Sequence, residues 1–148
     1  MPKDYTAARA WFEKAAAAGF AASMTQVGSI CTNAPGIAAD PVQARHWYEK
    51  ASSAGDLFGM QYTAMHMDKG QGGPADPVQA AHLMLRSAKL GHAWSLTVLT
   101  GPLTFVTPAT RTELKREVAR LGYYTGTIDD TWDPATQAAV KAYLKAAV

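Results

Sequence analysis

A single cysteine, Cys31, stands among 148 residues. One thiol builds neither an internal disulfide framework nor a cysteine-based zinc site, and it reads as a small buried hydrophobe. Histidine is almost as scarce. His46, His66, His82 and His92 include no pair at i, i+4 spacing, so no metal site and no cofactor is expected. No apolar run reaches the roughly 18 residues of a membrane helix, and the opening is not the charged-then-apolar kind that exports a chain. Charge of one sign is lacking too. Fourteen Lys and Arg against twelve Asp and Glu leave a formal net charge of +2, spread along the whole length, so neither a nucleic-acid backbone nor an anionic membrane finds a basic stripe.

What is present is repetition at 36 residues. "DYTAARAWFEKAAAAG" (Asp4 to Gly19), "DPVQARHWYEKASSAG" (Asp40 to Gly55) and "DPVQAAHLMLRSAKLG" (Asp76 to Gly91) align without gaps. Each copy carries the signals of a complete helix. Asp4, Asp40 and Asp76 are N-caps, Pro41 and Pro77 suit the first helical position, and Gly19, Gly55 and Gly91 supply a left-handed residue to end the helix. Ala8, Trp11, Phe12 and Ala15 recur as Ala44, Trp47, Tyr48 and Ala51, a stripe at i, i+3, i+4, i+7 that is expected in the core.

A second helix lies between copies. "FAASMTQVGSIC" (Phe20 to Cys31) matches "DLFGMQYTAMHM" (Asp56 to Met67), and small residues at Ser23 and Gly28, Gly59 and Ala64 predict close helix approach. Such a unit buries its stripe only by stacking on neighbours. Gln26, Tyr62 and Val98 fall at equivalent positions of this helix, and with Gln61 they are the candidates for contact with a partner.

"VGSICTNAPGIAADPVQARHWYEKASSAG" (Val27 to Gly55) and "TAMHMDKGQGGPADPVQAAHLMLRSAKLG" (Thr63 to Gly91) resemble the Sel1-like repeat nearly throughout. Gly70, Gly72, Asp40, Trp47 and Tyr48 carry the match most strongly. Cys31 and Met67 stand where that family usually has tyrosine, and Leu83, Met84 replace its Trp, Tyr pair. The resemblance implies an α-solenoid related to tetratricopeptide arrays, whose concave face holds protein or peptide partners and performs no chemistry. The chain opens on the second helix of a repeat. A piece of a longer protein is therefore expected, with Trp11 and Phe12 partly exposed or covered by another chain.

After Gly91 the third repeat starts normally, then "TGPLTFVTPAT" (Thr100 to Thr110) breaks the period with two prolines. A new unit follows. Thr110 with Glu113 has capping-box spacing, Leu114, Val118 and Leu121 share a helical face, Gly122 ends that helix, and Asp133 with Pro134 starts the last one. Between them lies "GYYTGTIDDTWD" (Gly122 to Asp133). Asp129 and Asp130 read either as a carboxylate pair or calcium loop, or as a turn and cap. No third acid lies at EF-hand spacing and no nucleophile or histidine sits nearby, which favours the turn. Tyr123, Tyr124 and Trp132 are placed either for stacking on sugar rings or for core packing.

This segment is similar to the small helical peptidoglycan-binding domain. Val118 and Leu121 precede "GYYTGTID", Trp132 stands for its Phe, and Thr136, Ala139, Val140 and Tyr143 fall on its later positions. Asp130 and Asp133 replace two family glycines. The resemblance implies wall contact through Tyr123, Tyr124, Asp129, Asp130 and Trp132.

The expected fold is all-α, with Sel1-like helix-turn-helix repeats over residues 1–103 and the peptidoglycan-binding-like unit over 104–148. This order of modules is similar to the periplasmic end of bacterial polar organelle development proteins. It implies a non-catalytic periplasmic scaffold, reaching a membrane only through an upstream helix, that binds protein partners and contacts peptidoglycan in the localisation of pili, holdfast and division-linked signalling factors. The alternative is a protein adaptor whose terminal unit only caps the solenoid.

Overall fold

The computed structural model describes residues 3–146, which form eight helices and no strand. Their order is α1 (Tyr5–Ala17), α2 (Ala21–Thr32), α3 (Pro41–Ser53), α4 (Leu57–Lys69), α5 (Pro77–Lys89), α6 (Ala93–Thr100), α7 (Pro108–Arg120) and α8 (Pro134–Lys145). Local chemistry sets the helix starts. Asp4, Asp40 and Asp76 accept the backbone N–H three residues on, each at 3.0 Å, and Gly19, Gly55 and Gly91 follow the helix ends at φ +94°, +90° and +87°. Those amides would otherwise have no partner within the helix.

Consecutive helices pack in sequence order from α1 to α6, as stacked hairpins. Gly28 shows why small residues recur at the contacts. A Cβ added there would stand 2.6 Å from the Tyr48 ring, so the ring fills the space that the glycine leaves on α2. Tyr48 then stacks on Tyr62 of α4 at 4.8 Å and shares its hydroxyl with Thr32 at 3.1 Å. Around it Val27, Cys31 and Ala44 form one buried cluster, and burial pushes the Cys31 thiol pKa up. A polar latch repeats between units. Thr25 donates to Asp56 at 2.7 Å, and one repeat later His92 Nε2 meets the Gln61 amide oxygen at 2.7 Å.

The expected stripe holds on α3 at Ala44, Tyr48 and Ala51 and fails at its tryptophan position. On α3 the buried residues are Ala44, Arg45, Tyr48, Ala51 and Ser52, while Trp47 is only half-buried and Trp11 is 70% exposed. Helix α3 is flanked by both α2 and α4, which turns the tryptophan position to the edge of the contact. The indoles lie there under lysines, Lys14 Nζ at 4.9 Å from the Trp11 ring and Lys50 Nζ at 4.8 Å from Trp47. Phe12 is half-buried against the cluster around Tyr48.

The start of α7 also differs from the expected Thr110 and Glu113 cap. Thr107 is the N-cap and Pro108 the first residue, because the Thr107 hydroxyl and N–H are held by the buried Asp68 carboxylate of α4, at 2.5 and 3.1 Å. Thr110 is buried inside the helix, and Glu113 pairs with Arg116 instead. Burial pushes the Asp68 pKa up, but hydrogen bonds led by Thr107 outweigh it and hold the carboxyl below its ordinary value. Leu103 takes a left-handed φ of +53°, a strained choice for a non-glycine residue, with its side chain sealed in the core. One apolar cluster spans the junction. Ala81, Met84 and Leu85 of α5 pack with Leu99, Leu103, Val106, Leu114, Val118 and Val140, so the terminal unit and the last repeat share a core.

Candidate functional site

The loop between α7 and α8 is tied down from below. Lys115 on α7 has no exposed side-chain surface, and its Nζ donates to Asp129 at 2.7 Å and to the Thr131 hydroxyl at 3.1 Å, 5.4 Å from the centre of the Tyr124 ring. Thr131 adds its own N–H and hydroxyl to the same Asp129 oxygen, at 3.1 and 2.6 Å. The Lys115 hydrogen bond and then those of Thr131 lower the Asp129 pKa to about 2. The neighbouring acid points elsewhere. Asp130 is exposed, its carbonyl accepts from Arg111 Nε at 2.8 Å, and its carboxylate lies 3.5 Å from the same guanidinium. Asp133 caps α8 by accepting the Thr136 N–H at 2.8 Å, and its carboxyl pKa is lowered by the hydrogen bonds from Thr136. The paired acids therefore shape a turn and share no substrate-facing geometry.

Above this turn runs an open groove of about 790 Å³ between the loop and α8. Tyr123, Tyr124, Thr125, Thr127, Asp129 and Asp133 line one side, and Ala135, Ala138 and Ala142 form the other. Tyr123 is held edge-on against Tyr143 at 5.6 Å. Of the wall-contact candidates, Tyr123, Tyr124 and Asp129 are brought together in the groove. Asp130 and Trp132 are not. Trp132 packs against the shared core with its Nε1 buried and without a hydrogen-bond partner, so its ring serves packing, and Asp130 faces Arg111. Sequence reasoning missed Lys115 and the alanine face of α8; the 135, 138, 142 spacing of small residues was the available signal for the latter.

On the array, Gln26 and Tyr62 line one small groove of about 210 Å³ together with Asp56 and Phe58. Gln61 and Val98 are corrections. Gln61 is buried and holds His92, because its position carries the latch between repeats. Val98 is 8% exposed and lies in the shared core, because α8 packs over the short α6 and covers the face that Tyr62 leaves half-open. An unforeseen feature is an aromatic row on these first helices and the segment after them. Phe58 is 56% exposed and meets His92 edge-on at 5.0 Å, and Trp94 lies 6.0 Å from Phe105, itself 47% exposed. Phe58 and Trp94 are repeat equivalents, 36 residues apart, which was legible. Among the described residues no group of three or more His, Cys, Asp or Glu side chains is gathered to hold a metal ion, and no helix is long and apolar enough to cross a membrane.

Comparison with known proteins places these features. The family described as "Sel1 repeat" matches residues 1–20, 21–56 and 59–92, more than half of the chain, and the family described as "Putative peptidoglycan binding domain" matches residues 107–146. The crystal structure of a Sel1 repeat protein from Oxalobacter formigenes is similar over 99% of this chain, with a TM-score of 0.67 and 22% identity. The chain spans about half of that protein, 51% of its length, and at this identity the likeness concerns the fold. No curated protein matches the chain significantly.

Proposed function

The chain belongs to the Sel1 repeat family, and from that premise we propose that it is a non-catalytic periplasmic scaffold, holding protein partners on its first-helix face and touching peptidoglycan through its terminal unit. The observation that carries the reading is the groove bounded by Tyr123, Thr125 and the alanine face of α8, in the segment that matches the peptidoglycan-binding family. A rigid array joined through a shared core to such a groove would hold a bound protein at a fixed position relative to the wall. The solenoid's concave side, with Gln26, Tyr62, Phe58 and Trp94, is the proposed partner surface. An exposed Phe58 with half-buried Tyr62 and Trp94 on a stiff support suits that role, since large apolar side chains supply most of the binding energy at protein interfaces. The order of modules resembles the periplasmic end of the polar organelle development protein PodJ, and the proposed setting is accordingly the polar localisation of pili, holdfast and division-linked signalling factors.

Co-sedimentation with purified sacculi tests the wall half of the reading. Retention of the intact chain supports it, and failure to sediment removes it.

A second reading is favoured by one observation of its own. Val118 and Val140 of the terminal unit are buried in the same cluster as Met84 and Leu85 of the last repeat. On this reading the unit is a lid that covers the last apolar face of the array, as terminal repeats require. The domain boundary proposed near residue 104 would then separate sequence modules but not folding units.

A further inference from the structure

Resting on the wall-contact reading above, we infer that the groove over α8 takes the uncharged N-acetylhexosamine backbone of the wall polymer and rejects its carboxylate-bearing stem peptides. The shape comes first. Ala135, Ala138 and Ala142 are exposed and carry nothing beyond Cβ, so one wall is a low apolar surface along two turns of helix. Tyr123 lines the same groove in an orientation set by Tyr143, 5.6 Å away, and Tyr124 is fixed over Lys115 with its hydroxyl 3.3 Å from the Thr127 carbonyl. An aromatic ring held in place beside a flat apolar strip accepts the CH face of a pyranose with little ordering cost. The Thr125 and Thr127 side chains at the rim offer hydroxyls to ring substituents.

Charge then selects between the two parts of the wall polymer. The only carboxylates lining the groove are Asp129 and Asp133, and no Lys, Arg or His lines it. The cation behind the loop does not line the groove. Lys115 is wholly enclosed behind the loop and committed to Asp129 and Thr131. A stem peptide carries several carboxylates and would meet the Asp133 carboxylate, beside an Asp129 already paired with Lys115, with no guanidinium or ammonium lining the groove to receive them. A neutral glycan meets no such repulsion, and carboxylate acceptors suit its hydroxyl and amide donors. Specificity here rests on the repulsive element as much as on the attractive one.

The test is an amide-resolved NMR titration of the full chain with two probes, the N-acetylglucosamine tetramer and an N-acetylated stem tetrapeptide with its free carboxylates. The tetramer should move the Tyr123, Thr125, Thr127 and Ala138 amides saturably, and the peptide should leave them in place. Ala138→Trp, which fills the groove from an exposed helix position, should weaken the tetramer about tenfold or more with the helical signal unchanged. Asp133→Asn keeps an N-cap and removes the charge, so it should raise the affinity for the peptide relative to the tetramer about threefold or more. Tighter binding of the peptide than the tetramer at these amides, or no movement with either probe, overturns the assignment. Sacculus sedimentation of the same samples separates the two claims. Sacculus binding without tetramer binding overturns the glycan assignment and leaves the wall reading, whereas tetramer binding without sacculus binding supports the assignment and removes the wall reading.

Discussion

Lys115 Nζ lies 2.7 Å from the Asp129 carboxylate, with the lysine fully enclosed and the aspartate reaching it from a half-open loop. The pair is asymmetric, and its two halves should fail differently. Lys115→Met removes the buried charge and leaves a carboxylate that water can solvate. Asp129→Asn leaves an enclosed ammonium with neutral partners only, the costlier arrangement. The urea midpoint should therefore fall further for Asp129→Asn than for Lys115→Met, and Lys115→Met should loosen the loop amides while the array stays folded. Hydrogen exchange resolved by residue reads both effects; the reverse order of midpoints would contradict this account of the pair.

Asp68 ties the array to the terminal unit by accepting from the Thr107 N–H and hydroxyl. Asp68→Ala should cost about 2 kcal/mol, the range for hydrogen bonds to a charged group. Because the two parts share a core, removing everything after Pro108 should leave residues 1–108 aggregated or partly unfolded. A soluble truncated chain with unchanged helicity would show that the unit is dispensable as a lid.

Gly28 is where the Tyr48 ring enters α2. Gly28→Ala should destabilise the chain by about 2 kcal/mol through forced displacement of that ring. Combining it with Tyr48→Leu should recover part of the loss, a non-additivity that a double-mutant cycle measures.

Val98 and Phe58 should separate stability from binding. Val98→Ala opens a void in the shared core and should cost about 2 kcal/mol. Phe58→Ala alters an exposed ring and should shift stability by less than about 0.5 kcal/mol, while weakening any partner held on the first-helix face. Thermal melts of the two variants check the first half of this contrast.

Acid should act in two stages. Burial lowers the pKa of His66 and of His92 below the ordinary 6.5, so below that pH the unfolded chain binds more protons than the folded one. Stability contributed by the neutral imidazoles is complete above 6.5 and is lost as pH falls through their lowered values. Asp129, lowered from 3.8 to about 2, contributes stability above 3.8 that is lost only between there and about 2. The urea midpoint should begin to decline as pH falls below 6.5, and His92→Asn should flatten part of that slope. A midpoint unchanged down to pH 5 would contradict the histidine account.

The helix starts at Asp4, Asp40, Asp76 and Asp133 were legible because capping is decided within four residues. Equivalence between repeats was legible too, and it misled at the last one. Val98 matches Tyr62 by period, but its surroundings are set by α8, some forty residues away in the chain. Gln61 looked like a surface amide because its partner His92 belongs to the next repeat. Lys115 sits in "ELKREV", which reads as a solvated face, and only the return of the loop encloses it. Local chemistry was visible in the sequence. Contacts created by the closing of the terminal unit were not.

The most direct test of the central claim is the fraction of intact chain sedimenting with purified sacculi, compared with Ala138→Trp under the same conditions. The account predicts saturable sedimentation of the intact chain and its loss on filling the groove, with folding unchanged. Equal sedimentation of both proteins, or none by either, would contradict it.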